Sequence, residues 1–296
     1  MNLPRRLLAT DLDGTFLDSA GRVTPENREA LKQAKNKGIS VIFVTGRPAR
    51  WLKGVADSAD HYDLIIGANG GFIADMNSLQ VTTTNAADPT ELQIVANNVL
   101  ELFPDAVFAI ERSYVGMPIA DSQAREYDEM RVSALSNFEF AVTPGYVATW
   151  KIDAAIAVAP IDELLQLSDI TKLIVKPGDP SAWNSDTWLS AIAPAVEDRL
   201  QLTHASQEIV LAEISAKGIT KASALAQVAA AQGLSAHDVV AIGDMPNDVP
   251  MLEWAGEAWT VENAHPEVRA VTDNVLQHHD LSPVATLITD LMNRLD

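Results

Sequence analysis

Two aspartates stand two residues apart in Asp11-Leu12-Asp13-Gly14-Thr15, directly behind the apolar run Leu7-Leu8-Ala9-Thr10. That run reads as a buried strand, and alternate residues of an extended chain point the same way. Both carboxylates can therefore approach one reacting centre, while Gly14 lets the chain bend without a side chain in the way. One acid can attack and the other can carry a proton, which is the division of labour phosphoryl transfer requires. A phosphate monoester repels nucleophiles through its own negative charge, so catalysis means neutralising its oxygens and placing an attacker in line.

Three further groups could supply that environment: Thr45-Gly46-Arg47, Lys221 behind Lys217-Gly218-Ile219-Thr220, and Gly243-Asp244-Met245-Pro246-Asn247-Asp248. In open α/β sheets ligands collect at the carboxyl ends of the strands, and all but the lysine group follow a predicted strand. Lys221 opens a helix, where a cation opposes the macrodipole and so needs a local partner. Each group alone has a bland explanation. Thr45-Gly46 suits an ordinary turn, Lys221 a solvated helix residue, and Asp244 with Asp248 the capping of a helix that begins at Pro246. The aspartate pair could also open a calcium loop, but Gly14 comes two positions early for one, and Arg22 stands where the closing glutamate belongs. Carboxylate and carbonyl oxygens, without thiolates or a histidine cluster, suit a hard cation, and magnesium is the one that keeps waters beside a substrate phosphate.

The elements that must hold these groups alternate. Thr24-Pro25-Glu26 offers an N-cap, a proline at the first helical position and a first-turn acid, and Gly38 closes the helix. The β-branched and aromatic run 39–44 follows, then a helix over about 48–57 and a strand over 63–67 that ends in Ala68-Asn69-Gly70-Gly71. Continuous apolar strands joined by helices predict a parallel sheet covered on both faces. From about residue 84 the pattern is mixed, with helices predicted over 89–102 and 181–192 and strands over 107–111, 152–158, 173–176, 200–204 and 208–214. The alternation then resumes with a helix over 220–231, a strand over 238–242 and helices over 246–254 and 282–295. The middle reads as an insertion: residues 1–83 and 213–296 form one discontinuous core domain, and 84–212 a second domain.

The four groups, in this order and spacing, resemble the four motifs of the haloacid dehalogenase superfamily, and in particular its Cof-type, subfamily IIB phosphatases. The resemblance implies a doubly wound, Rossmann-like α/β core with an inserted α/β cap of the C2 type that carries substrate specificity. It implies Asp11 as nucleophile, forming an aspartyl-phosphate, and Asp13 as the residue that protonates the leaving oxygen and then takes a proton from water. Magnesium would be held by Asp11, the Asp13 carbonyl and Asp244, with Asp248 acting through water. The N–H groups of Leu12 and Gly46, the Thr45 hydroxyl, Lys221 and Asn247 would hold the phosphoryl oxygens. This chain has Met245 where the commonest family form has glycine, and Lys217 competes with Lys221 for the phosphate role, Lys221 being preferred because the family lysine begins the helix.

The implied activity is magnesium-dependent hydrolysis of small phosphorylated metabolites, sugar phosphates foremost. Two alternatives stay open: a phosphosugar mutase, which returns the phosphoryl group to a hydroxyl, and a non-catalytic sensor of phosphorylated metabolites. With 40 acidic against 21 basic residues and a net charge of -19, the chain lacks a field that attracts nucleic acid. The same acidity means that any phosphate site needs its own local positive charge. The absence of cysteine removes disulfides and thiolate metal sites. No run is long enough to cross a bilayer and the opening apolar stretch is too short for a secretory signal, so no membrane partner and a cytoplasmic location are expected. Oligomeric state has no signature here. His278-His279 read as a surface pair whose rings point apart, and Trp150, Trp183 and Trp188 as core or domain contacts. Arg112, Arg125, Arg131 and Lys151 are possible cap residues facing a substrate.

Overall fold

The computed structural model describes residues 6–119, 139–147, 157–204 and 209–295. The chain opens with β1 (Arg6–Thr10), α1 (Pro25–Asn36), β2 (Ile39–Val44), α2 (Leu52–Ala59), β3 (Leu64–Gly67), β4 (Phe72–Asp75) and β5 (Gln80–Thr84). Next come α3 (Pro89–Leu102), β6 (Val107–Arg112), β7 (Phe140–Val142), β8 (Ala157–Val158), α4 (Ile161–Leu164), β9 (Ile170–Lys176), α5 (Ser185–Val196), β10 (Gln201–Thr203) and β11 (Ala212–Ser215). The remainder is α6 (Lys221–Ala231), β12 (Val239–Ile242), α7 (Val249–Trp254), β13 (Glu257–Val261), α8 (Pro266–Arg269), β14 (Val275–Leu276) and α9 (Pro283–Asn293).

One sheet has the order β14-β13-β12-β1-β2-β3-β4-β5. Its first six strands are parallel and the last two antiparallel. Alternation along β1 and β2 sends Leu8, Val41 and Phe43 to one face, against Leu31, Leu287 and Leu291. Leu7, Ala9, Ile42 and Val44 go to the other face, against Leu225, Val228 and Leu252. This is the doubly wound core that the apolar strands required. The chain leaves β1 in one direction towards β2 and returns beside it through β12, so the switch in strand order lies at β1, where α/β sheets bind ligands.

The antiparallel pair departs from the predicted all-parallel sheet. Ala68, Asn69 and Gly70 carry φ of 49°, 55° and 100°, a left-handed run that reverses the chain. The residues beyond it therefore pair back on β3 instead of entering a crossover helix. Strand β13 was also absent from the sequence reading; its Glu257 and Thr260 leave no continuous apolar run.

The second sheet, order β10-β11-β9-β6-β7-β8, is antiparallel except at β7 and β8. Phe108, Ile110, Leu173, Val175 and Ile214 pack under α3 and α5 with Trp188. The residues between them, Ala109, Ile174 and Leu211, face the other way, as do Glu111, Lys172 and Glu213 by the same alternation. Residue 213, the predicted return to the core, lies inside β11, which pairs with β9 and β10 in this second sheet. The strand itself was expected, over 208–214, but it belongs to the second sheet, and the chain leaves that sheet after Ser215.

Candidate active site

Beyond β1 the Asp11 N–H still bonds the carbonyl of Ile242 at 3.0 Å, so the sheet fixes the first carboxylate. The chain then coils tightly: the carbonyl of Leu12 accepts the N–H groups of Phe16 and Leu17 at 3.0 and 2.8 Å. Asp11 and Asp13 line one cavity of about 530 Å³, but they sit differently in it. Asp11 is 5% exposed, whereas the Asp13 side chain is 55% exposed and gripped by Arg47. Arg47 Nε donates to Asp13 Oδ2 at 2.7 Å and Nη2 to Oδ1 at 2.5 Å, a two-pronged pair. Gly14 has φ +77°, and a Cβ there would stand 2.3 Å from Asp244 Oδ2. Only glycine lets these two loops approach.

Lys221 begins α6, capped by Thr220 and Ser223, whose hydroxyls each bond the other's N–H. It is 1% exposed, and Nζ donates to Asp11 Oδ1 at 2.7 Å and to Asp248 Oδ1 at 2.5 Å. These are the partners that a helix-opening lysine required. Lys217, its rival in the sequence, lies on the surface beside Asp198. The other oxygen of Asp248 accepts the N–H groups of Asp244 and Met245 at 3.0 and 2.9 Å. Asp244 Oδ1 accepts the Thr15 hydroxyl at 2.7 Å.

Asp11, Asp244 and Asp248 thus bring carboxylate oxygens within 4.8 Å of one another in a buried cluster. Their electrostatics are unbalanced. Burial pushes the Asp11 carboxyl up to about 7, with Asp248 and Asp13 adding repulsion and Lys221 opposing both. Asp244 is raised well above the carboxylate range, first by burial and then by Asp11 and Asp248. Lys221 rises above its ordinary value, because its two acids outweigh the effect of burial. One lysine does not offset three buried carboxylates, and a hard all-oxygen donor set of this kind fits a divalent cation. Protons compete for the same oxygens, so magnesium should raise the melting temperature more at pH 8 than at pH 6. Melting curves with and without the ion check this, and an equal shift at both values would contradict the pairing of ion and carboxylates.

Thr45 follows β2, and its Oγ1 accepts the N–H of Arg47 at 3.1 Å, leaving its own proton to give. Gly46 lines the cavity beside it. Asn247 is also there, but its Nδ2 donates to Asn69 Oδ1 at 2.9 Å. Asn69 Nδ2 in turn donates to Glu213 Oε2 at 2.6 Å. A carboxylate only accepts, so Glu213 fixes the orientation of both amides. Lys172 completes the chain, donating to Glu213 Oε1 and to the Gly46 carbonyl, each at 2.7 Å.

Lys172, Glu213, Glu111, Asn69 and Trp51 were not singled out from the sequence, although the first three are charged residues in otherwise largely apolar strands. Arg112, one residue beyond Glu111, points to the opposite face, where Nε donates to the Ser168 carbonyl at 2.6 Å. It therefore serves the second domain, not a substrate. Arg125, Arg131, Lys151 and Trp150 lie outside the described residues. Trp188 is core, with Nε1 donating to the Val175 carbonyl at 3.1 Å. The rings of His278 and His279 do not diverge: their centroids are 4.6 Å apart, because a 3-10 turn starts at His279.

A family profile described as haloacid dehalogenase-like hydrolase matches residues 8–288, and the chain belongs to that family. Among curated relatives, the 5-amino-6-(5-phospho-D-ribitylamino)uracil phosphatase YwtE of Bacillus subtilis (strain 168) is 27% identical over 97% of this chain and 98% of its own. The pyridoxal phosphate phosphatase YbhA of Escherichia coli (strain K12) is 26% identical over 96% and 97%. Among solved structures, a subclass IIB sugar phosphatase of the superfamily superposes with a TM-score of 0.71 at 17% identity, covering 97% of this chain and 98% of its own. The fold is the superfamily's core with an inserted cap, and the coarse activity is that of a phosphoric monoester hydrolase. Among the described residues no helix is long and apolar enough to cross a membrane.

Proposed function

We propose that the chain hydrolyses small phosphorylated metabolites, sugar phosphates among them, in two steps through a phosphoryl group carried on Asp11. The observation that supports this reading is the sharing of Lys221 between Asp11 and Asp248, beside Asp244. Lys221 occupies one oxygen of Asp11, so the other is the attacker. It bonds phosphorus as the bond to the leaving oxygen breaks. Asp13 gives that oxygen its proton and must leave Arg47 to do so, since Arg47 holds both its oxygens. Asp13 then takes a proton from the water that releases phosphate. The N–H groups of Leu12 and Gly46, the Thr45 hydroxyl and Lys221 face the transferring oxygens, and Asn247 contributes its second amide hydrogen.

In this reading Asp11, Asp244 and the Asp13 carbonyl hold magnesium, with Asp248 acting through water. The ion supplies positive charge that draws the dianionic phosphoryl group towards a carboxylate otherwise repelling it. The cap is the stretch between the end of β5 and the end of β11, and the enzyme works on a cytoplasmic pool of substrates. A release assay over phosphorylated sugars, nucleotides and cofactors, without bisphosphate activator, tests the proposal. Phosphate should appear with magnesium, cease with EDTA and return when the ion is restored. Transfer to a second sugar in place of release would make the protein a mutase, and no turnover of any compound would make it a sensor.

A further inference from the structure

The wall opposite the phosphate end of the cavity belongs to the cap sheet, and its polar groups are ill matched for a hydroxyl-rich ligand. Glu111 and Lys172 face each other across β6 and β9 in register. Glu111 Oε1 accepts Arg50 Nη2 at 2.9 Å, while Oε2, buried, accepts no hydrogen bond and has only the Lys172 ammonium at 3.5 Å. Asn247 Oδ1 is likewise buried without a donor. Both residues line the cavity. The cationic side chains among the described lining residues are engaged: Arg47 by Asp13, and Lys172 by Glu213 and the Gly46 carbonyl. Around them stand Trp51, Ile174 and Leu211.

A hydroxyl that donates to Glu111 also presents lone pairs that seek a donor, and the cation nearest Glu111 Oε2, Lys172, is already given to Glu213 and the Gly46 carbonyl. An ammonium presents N–H donors to the unpartnered oxygens of Glu111 and Asn247 and asks for no donor in return. We propose that Glu111 contacts the substrate, and that the preferred phosphate monoesters carry an amino group on an otherwise compact leaving group. This rests on the phosphatase reading above. Lys172 touches both Glu111 and the Gly46 carbonyl, which places the amine one side chain away from the turn that holds the phosphate.

The test compares kcat/KM for matched pairs that differ by one amine for one hydroxyl, glucosamine 6-phosphate against glucose 6-phosphate and phosphoethanolamine against ethylene glycol monophosphate, all with magnesium. The amine should be preferred by about tenfold or more, as for a buried hydrogen bond to a charged group, and Glu111→Gln should bring the ratio towards one. Equal rates, a hydroxyl preference, or a ratio that Glu111→Gln leaves unchanged would overturn the assignment. If that variant does not fold, the wild type decides alone, because glucosamine should inhibit it more strongly than glucose, and equal inhibition counts against the proposal. p-Nitrophenyl phosphate has no amine, so its turnover reads the phosphatase activity separately. Failure there removes the underlying reading, whereas turnover there without amine preference removes only the role of Glu111.

Discussion

Asp11→Asn should lower phosphate release by on the order of 10⁴-fold or more, the loss typical when a covalent nucleophile is removed. The asparagine keeps the shape and leaves Oδ1 to accept from Lys221, so the fold should persist. The charge change gives a second signature. The Asp11 pKa is raised by burial to about 7, so in the metal-free protein its ionisation counts against folding. The folded state holds a proton that the unfolded state has already lost, and stability therefore falls as pH climbs from the ordinary carboxyl range towards 7. Asp11→Asn removes this dependence. Metal-free melting temperatures of variant and wild type should be close near pH 5, with the variant higher at pH 8. Magnesium should stabilise the variant less. Normal turnover in Asp11→Asn would end the assignment of this residue.

Legibility in the sequence followed locality. The core strands were readable because β-branched runs such as Ile39–Val44 bury both faces and leave no competing pattern. Asp11, Lys221, Asp244 and Asp248 were singled out by the order and spacing of the four groups together, each of the last three having a bland explanation alone, and the structure brings all four side chains together. The cap wall was harder. Glu111, Lys172 and Glu213 come from three strands distant in sequence, and only the pairing of β6, β9 and β11 brings them together. Their one local mark, a charge within an apolar run, also fits a solvated strand face, and burial decides between the two. Asn69 was hidden differently. In Ala68-Asn69-Gly70-Gly71 it looked like a turn residue, and it is one, with φ 55°. That conformation is also what aims its amide between Asn247 and Glu213.

Lys221→Met should have the second large effect, and it separates electrostatics from shape because methionine fills similar volume. Lys221 gives hydrogen bonds to two buried acids, and removing one partner of such a group typically costs about 3–5 kcal/mol, since the remaining charges stay buried and uncompensated. The pH dependence carries the sign. Lys221 remains protonated across the neutral range, because Asp11 and Asp248 outweigh the effect of burial. Its loss is therefore felt most where those carboxylates are ionised, and less towards pH 5, where Asp11 can take a proton instead. Metal-free urea midpoints should separate from wild type widely at pH 8 and narrowly at pH 5, and magnesium should recover part of the difference. Turnover should drop on the order of 10²- to 10³-fold even with the ion present, as when a preorganised donor to a developing charge is removed. Lys217→Met supplies the contrast, since that side chain is 64% exposed beside a surface aspartate and its loss should leave both stability and rate near wild type. Equal losses in the two variants would mean that the segment leading into α6 matters as a whole, and not the ammonium that Asp11 and Asp248 share.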